Sequence, residues 1–225
     1  MKVFFIGAGP GDAGLITVRG KELLECADTI IYPGSSINAE ILEFSNGDKI
    51  NSWDLNFEGV VAHIIREASK GKTVVKLHSG DPSLFEDTAM YTRTLSEHGI
   101  RVEIIPGVSS LSALAASLKI ADRTLIVTRP AGEPWRDDYR FESGSIKGLS
   151  RHRAVMVIFI GTKHIRDIIN AIDHPPDTRV AVVYHASWDD EEIITGTVAD
   201  IADKVEEIGI RKSAAIFIKP HEQFS

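Results

Sequence analysis

Two α/β domains in succession are predicted from the order of apolar runs in this 225-residue chain. Three observations carry the prediction. Short apolar runs alternate with helix-spaced segments through the first half, the pattern of a largely parallel sheet. The turns that follow these runs are rich in Gly, Pro, Ser and Asp. The second half contains a hairpin signal, which a purely parallel sheet lacks. Residues 1–118 are therefore read as an N-terminal α/β domain with Gly-rich loops, and 119–225 as a C-terminal mixed-sheet α/β domain.

The first run, Val3-Phe4-Phe5-Ile6, reads as a buried strand feeding Gly7-Ala8-Gly9-Pro10-Gly11-Asp12, with a helix over 17–27. Glycine lets such a loop bring backbone close to a ligand, because it has no Cβ and tolerates positive φ. A dinucleotide fingerprint would place a third glycine where Asp12 stands, and an acidic residue after the second strand, Thr29–Tyr32. The sequence has neither, and Pro10 stiffens the turn while removing an amide donor. NAD is not the expected ligand.

Phe57, Val60, Val61, Ile64, Ile65 and Ala68 recur at helical spacing, and Gly71 stands where that helix stops. A strand over 73–77, a helix over Thr88–Glu97 and a strand over 102–105 complete the first half. Ligands of parallel sheets sit beyond the carboxyl ends of the strands. Residues 7–12, 33–36, 78–83 and 106–110 occupy those positions here.

Strand Leu125–Thr128 precedes a polar stretch, 129–150, that reads as a long loop or lid. Arg129, Trp135, Arg136, Tyr139 and Arg140 suit either a solvated loop or a mobile wall over an anionic, flat, apolar substrate. A strand over 154–160 and a helix over 163–172 follow. Runs 180–184 and 193–195 flank residues 187–191 as a hairpin. Thr197 and Asp200 resemble a capping box for a helix reaching Ile208, and a strand over 214–218 comes last.

Composition narrows the function classes. Apolar residues at 43% and charged residues at 25% are ordinary for a globular chain. A net charge of -7 argues against nucleic acid as partner, since phosphate binding needs a basic face. No run approaches the roughly 18 apolar residues of a membrane span, and no secretory signal is evident. The single cysteine, Cys26, is expected as a small buried hydrophobe and fits a reducing, cytoplasmic setting. The eight histidines show no metal-ligand spacing, so no metal is expected. His78 and His185 stand at strand ends and are the two retained as candidates. Asp81 accepts hydrogen bonds either from a ligand or within its own turn. Ser109 or Ser110 is expected to cap a helix, because the segment lacks the final glycine of a nucleophile elbow.

Taken in order, residues 7–12 with Leu15-Ile16-Thr17, His78-Ser79-Gly80-Asp81-Pro82 and Pro106-Gly107-Val108-Ser109-Ser110 resemble the motifs of the tetrapyrrole methylases. The resemblance covers nearly the whole chain. It implies two α/β domains with a cofactor and substrate cleft between them, S-adenosylmethionine as cofactor, S-adenosylhomocysteine as product, and a homodimer. Within that family, residues 183–193 and 209–213 are most similar to the precorrin-4 / cobalt-precorrin-4 C11-methyltransferases of cobalamin synthesis. The first loop departs from the family pattern at Ala13-Gly14, and residues 129–135 follow the C11 pattern only in part.

By that resemblance Pro10, Gly80, Asp81, Leu84, Ser109 and Ser110 are expected at the cofactor, joined by Ile160, Ala186 and Ala214. Tyr32, Ser35 and Arg129 are expected at the macrocycle, with Arg129 on its acidic arms. Methyl transfer from a sulfonium needs alignment rather than a protein nucleophile. No catalytic residue is therefore assigned, and His78 and Tyr184 stand as candidate proton acceptors. Other readings stay open: methylation at another ring position, of uroporphyrinogen, or of a modified histidine as by diphthine synthases. A non-catalytic nucleotide-binding or regulatory domain is the reading from a different class.

Overall fold

Parallel strands buried on both faces make the centre of the first unit, as their near-continuous apolar runs require. The computed structural model describes residues 1–86, 88–120, 122–130 and 145–219. Strands β1 (Lys2–Gly7), β2 (Thr29–Tyr32), β3 (Asp48–Asn51), β4 (Val74–His78) and β5 (Arg101–Ile105) form one parallel sheet in the order β3-β2-β4-β1-β5. Helices α1 (Val18–Glu25) and α2 (Ala39–Leu42) cover one face, where Leu24, Ile41 and Leu42 pack on Ile6, Ile30, Val75 and Leu77. Helices α3 (Phe57–Ser69) and α4 (Thr88–Glu97) cover the other, with Val60, Val61, Ile64 and Leu95 against Val3, Phe5, Ile31 and Val74. The alternation of Phe5 and Ile6 between these two cores is the period-2 pleat at work.

The second unit holds a mixed sheet. Strands β6 (Leu125–Thr128), β7 (Val155–Phe159), β8 (Arg179–Tyr184), β9 (Glu192–Thr197) and β10 (Ala214–Lys219) run in the order β6-β7-β10-β8-β9. Only β6 and β7 are parallel neighbours; the other pairs are antiparallel, including the hairpin β8–β9. Helices α6 (Ile146–Ser150), α7 (Ile165–Ala171) and α8 (Ile201–Ile208) share one core with Met156, Ile158, Val180, Val182, Ile216 and Ile218. The division between units falls between Ala113 and Leu114, inside helix α5 (Ser110–Ser117).

Three expectations need correction. The stretch 129–150 is not loop throughout, because Ser145 accepts a bond from the Gly148 N–H at 3.0 Å, and Ile146 is buried, starting α6. Trp135, Arg136, Tyr139 and Arg140 lie outside the described residues. Thr197 does not open α8: it ends β9, and its N–H donates to Asp200 Oδ1 at 2.6 Å, four residues before the helix begins. Cys26 is exposed, not buried. It lies just past α1, whose buried residues are Gly20 and Leu24, and two positions from Leu24 turns it away from the sheet. Strand β3 and helix α2 carry no run long enough to announce them in the sequence; β3 reads Asp-Lys-Ile-Asn on the sheet edge.

Candidate functional site

The carboxyl end of the parallel sheet is closed by backbone packed on backbone. The Ala8 N–H donates to the His78 carbonyl at 2.8 Å, and the Gly80 N–H donates to the Gly9 carbonyl at 2.8 Å. A Cβ on Gly7 would stand 2.6 Å from the Gly107 backbone and from the Gly80 carbonyl oxygen. Real Cβ atoms do not approach so closely, so glycine is what lets the loops after β1, β4 and β5 meet. Gly80 also has φ of 66°, the left-handed region glycine adopts at no steric cost.

Within the first unit, the expected residues gather around this meeting point. Pro10 follows the Gly9–Gly80 bridge directly. Asp81 is half-buried, and its Oδ1 accepts from the Ser83 N–H at 2.8 Å and the Ser83 hydroxyl at 2.5 Å. The turn-holding role is thus present, while Oδ2 makes no hydrogen bond among the described residues. Leu84 is exposed on the same segment. Ser109 caps α5, with Oγ accepting from the Leu111 N–H at 3.2 Å, and the Ser110 Oγ lies where a Gly80 Cβ would come to 3.4 Å. Tyr32 ends β2, and Ser35 is exposed in the turn that follows. The Asn38 side-chain amide donates to the Gly11 carbonyl at 3.0 Å, tying that turn to the glycine loop.

His78 is placed elsewhere. It is 1% exposed on the α3–α4 face, with its ring 5.2 Å from that of Phe5. Lys76, two residues earlier on the same face, is also buried and approaches His78 Nε2 at 3.2 Å. An ammonium can only donate, so Nε2 accepts and Nδ1 points its hydrogen to Glu86 Oε2, 3.5 Å away. Burial pushes the Lys76 ammonium down to about 8 against the pull of Glu86. Burial, with help from the Lys76 charge, also lowers the His78 imidazole, while Glu86 opposes it. A ring so enclosed cannot reach a macrocycle. Lys76 was signalled in the sequence only as a lone charge in the run Val74-Val75-Lys76-Leu77.

In the second unit one end of the sheet collects the remaining candidates. Register aligns Thr128, Ile158, Ile216 and Val182 across four strands, so Arg129, Ile160, Ala214 and Tyr184 all fall just past that row. Four of the seven described non-glycine residues with left-handed backbone cluster here: Ile160, His185, Ser187 and Ser213. Ile160 is β-branched, has φ of 57° and is 63% exposed, a strained position that packing does not explain. Ala186 and Ala214 are buried, and Arg129 is exposed.

The same end carries a polar pair that the sequence reading half found. His185 Nδ1 lies 2.9 and 3.0 Å from the two Asp190 carboxylate oxygens. Its ring is stacked between Tyr184, at 3.8 Å and 18°, and Trp188, at 4.8 Å and 22°. The loop is pinned by Glu191, whose Oε2 accepts from the Ser187 N–H at 2.7 Å and the Ser117 hydroxyl at 2.8 Å. Burial and the Asp190 charge raise the Tyr184 phenol, so it stays protonated and is a poor proton acceptor at neutral pH. Asp190 lay in plain view, five residues on in the hairpin, but only the fold shows that it turns back onto the ring.

Among the described residues no three His, Cys, Asp or Glu side chains gather as metal ligands, and no helix is long and apolar enough to cross a membrane. Residues 2–202 match the family model of the Tetrapyrrole (Corrin/Porphyrin) Methylases. The chain is 43% identical to the cobalt-precorrin-4 C(11)-methyltransferase of Methanocaldococcus jannaschii, over 96% of this chain and 86% of that protein. It is also similar to a crystal structure of a cobalamin biosynthetic enzyme, cobalt precorrin-4 methyltransferase, with TM-score 0.88 and 32% identity over 97% and 94% of the two chains. A uroporphyrin-III C-methyltransferase from Thermus thermophilus, complexed with S-adenosyl homocysteine, shares the fold at TM-score 0.77 and 22% identity, over 97% and 92% of the chains.

Proposed function

This chain belongs to the tetrapyrrole (corrin/porphyrin) methylases, and we propose that it methylates C11 of precorrin-4, with or without cobalt, in cobalamin biosynthesis. The product is the corresponding precorrin-5, and the methyl donor is S-adenosylmethionine. The C11 position follows the named activity of the archaeal relative. The observation that carries the reading is the contact of Gly7, Gly80 and Gly107, a side-chain-free cradle at the carboxyl end of a parallel sheet.

That cradle fits a nucleoside-type donor. It offers polar groups without bulk: Asp81 Oδ2 and the Ser110 hydroxyl make no hydrogen bonds among the described residues, and Gly80, whose backbone is paired with Gly9, adds no side chain. Pro10, Gly80, Asp81, Leu84, Ser109 and Ser110 would hold the donor, and the family resemblance adds Ile160, Ala186 and Ala214 of the second unit. Bound there, S-adenosylmethionine supplies a methyl group on a positively charged sulfur, open to in-line displacement. The chain's own work is positioning. Tyr32 and Ser35 line the substrate side of the first unit, and the exposed Arg129 guanidinium suits the substrate's carboxylate arms, which it can grip bidentately. A homodimer belongs to the same reading.

The test is incubation of the purified chain with methyl-labelled S-adenosylmethionine and separate pools of precorrin-4, cobalt-precorrin-4 and uroporphyrinogen. One labelled methyl at C11, located by NMR of the product, is expected from a precorrin-4 pool. A methyl elsewhere on the ring, or on uroporphyrinogen alone, overturns the C11 assignment. Failure to bind the donor or label any tetrapyrrole overturns the whole reading.

A further inference from the structure

The geometry points to the Asp190–His185 pair as the proton acceptor of the methylation, with His185 Nε2 taking the proton that the substrate ring must release. The inference rests on the methyltransferase reading above. It begins from a chemical necessity. When a ring carbon attacks a sulfonium methyl, the new C–C bond takes a π electron pair of the macrocycle, and the broken C–S bond leaves its pair on sulfur. The ring then carries the surplus positive charge, and one of its N–H groups must give up a proton to restore neutrality.

His185 has the geometry of an acceptor. A carboxylate can only accept, so Asp190, with both oxygens within 3.0 Å of Nδ1, fixes the ring hydrogen on Nδ1 and leaves a lone pair on Nε2. Tyr184 covers one face of the imidazole and Trp188 the other, so only the edge stays open. That edge is free: Nε2 makes no hydrogen bond among the described residues, and the side chain is 18% exposed. Once protonated, the imidazolium pairs with Asp190 and then returns its proton to water.

The placement fits the same task. His185 holds φ of 47°, in the left-handed region, with its N–H donating to the Ser213 carbonyl at 3.0 Å. It adjoins Ala186 and lies on the sheet end that carries Ile160 and Ala214, the residues assigned above to the donor. The contrast with His78 is direct, since that ring is 1% exposed and both its nitrogens face protein groups. A proton acceptor needs an open lone pair, and the second histidine has one.

Two measurements test this. Histidine-selective ¹⁵N NMR of the whole protein should show His185 as the Nδ1–H tautomer in the wild type, and Asp190→Asn should disturb it. An Nε2–H tautomer overturns the proposal whatever the activity. In kinetics, His185→Ala should lower kcat by about 10²- to 10⁴-fold while the donor Kd from calorimetry stays within about twofold, and added imidazole should restore part of the rate. Turnover of His185→Ala or His185→Gln at the wild-type rate sinks the proposal and leaves the methyltransferase reading intact. A wild type that neither binds donor nor labels a tetrapyrrole fails at the earlier step, and the NMR arm still decides the tautomer.

Discussion

The two sheet ends that carry the candidate residues are built by opposite means. At the end of the parallel sheet, side chains are removed so that the backbones of Gly7, Gly80 and Gly107 can touch. At the end of the mixed sheet, side chains are kept and the backbone is bent to carry them, with Ile160, His185, Ser187 and Ser213 all left-handed. Each unit also holds a histidine beside a carboxylate. His78 is buried beside Lys76 although its partner Glu86 is exposed, whereas His185 next to Asp190 presents an open edge. The difference shows that residue type alone does not assign chemistry. Enclosure of its ring makes His78 a structural residue, and the role proposed for His185 rests on the one nitrogen it leaves open.

The first way to break the comparison is to give the glycine cradle a side chain. In Gly107→Ala the new Cβ meets the Gly7 Cα at 2.7 Å, and backbone cannot rotate away as a flexible side chain can. A destabilisation of about 3 kcal/mol is expected in urea unfolding, at the upper end of ordinary overpacking. Donor affinity should fall with it, because the loops after β1, β4 and β5 are forced apart. Wild-type stability and affinity in this variant would mean that the close approach is not needed.

A second test probes through pH the burial of Lys76 beside His78. The buried Lys76 titrates near 8 in the folded protein, below its ordinary value of 10.5. Between those values the unfolded chain holds a proton that the folded one lacks, so wild-type stability rises with pH across that window. Lys76→Met removes this dependence. The variant should be more stable than wild type below pH 8 by about 2 kcal/mol, after subtracting the lost bond to His78. That margin should close as pH climbs towards 10.5. Parallel stability curves for the two proteins across the window would show that Lys76 is not desolvated as described.

These differences also mark how far the sequence could be read. Glycines and prolines at strand ends announced where the loops of the parallel sheet meet, because close backbone approach demands a residue type that stands out in a string of letters. Long helices with a clean apolar face, such as α3, were visible for the same reason, and the ends of β2, α4 and β6 were placed without error. What stayed hidden depends on partners distant in the chain. Edge strand β3 has one half-buried apolar residue, Ile50, and is a strand only because β2 pairs with it. Cys26 follows an apolar-looking helix but, two positions on from Leu24, falls outside its buried face. Left-handed backbone at an isoleucine has no sequence signature at all, and neither does the return of Asp190 onto His185.

The smallest expected effect runs in the opposite direction to the first and sharpens the contrast most. Ile160 sits at φ of 57° with its side chain 63% exposed, so it pays for an unfavourable backbone with little burial in return. A left-handed conformation costs an L-residue about 1–2 kcal/mol, and glycine escapes that cost while losing about 0.5–1 kcal/mol to greater freedom in the unfolded chain. Ile160→Gly should therefore raise stability slightly, by about 0.5–1 kcal/mol, where alanine in place of Gly107 lowers it. If Ile160 is strained because its side chain is wanted at the donor, the same variant should bind S-adenosylmethionine about two- to fivefold more weakly by calorimetry, a loss of the size expected for part of an apolar contact. Higher stability with unchanged affinity removes Ile160 from the donor site. Lower stability means that the isoleucine is held by packing after all, and that the left-handed cluster at this sheet end is a consequence of the fold rather than a feature kept for the ligand.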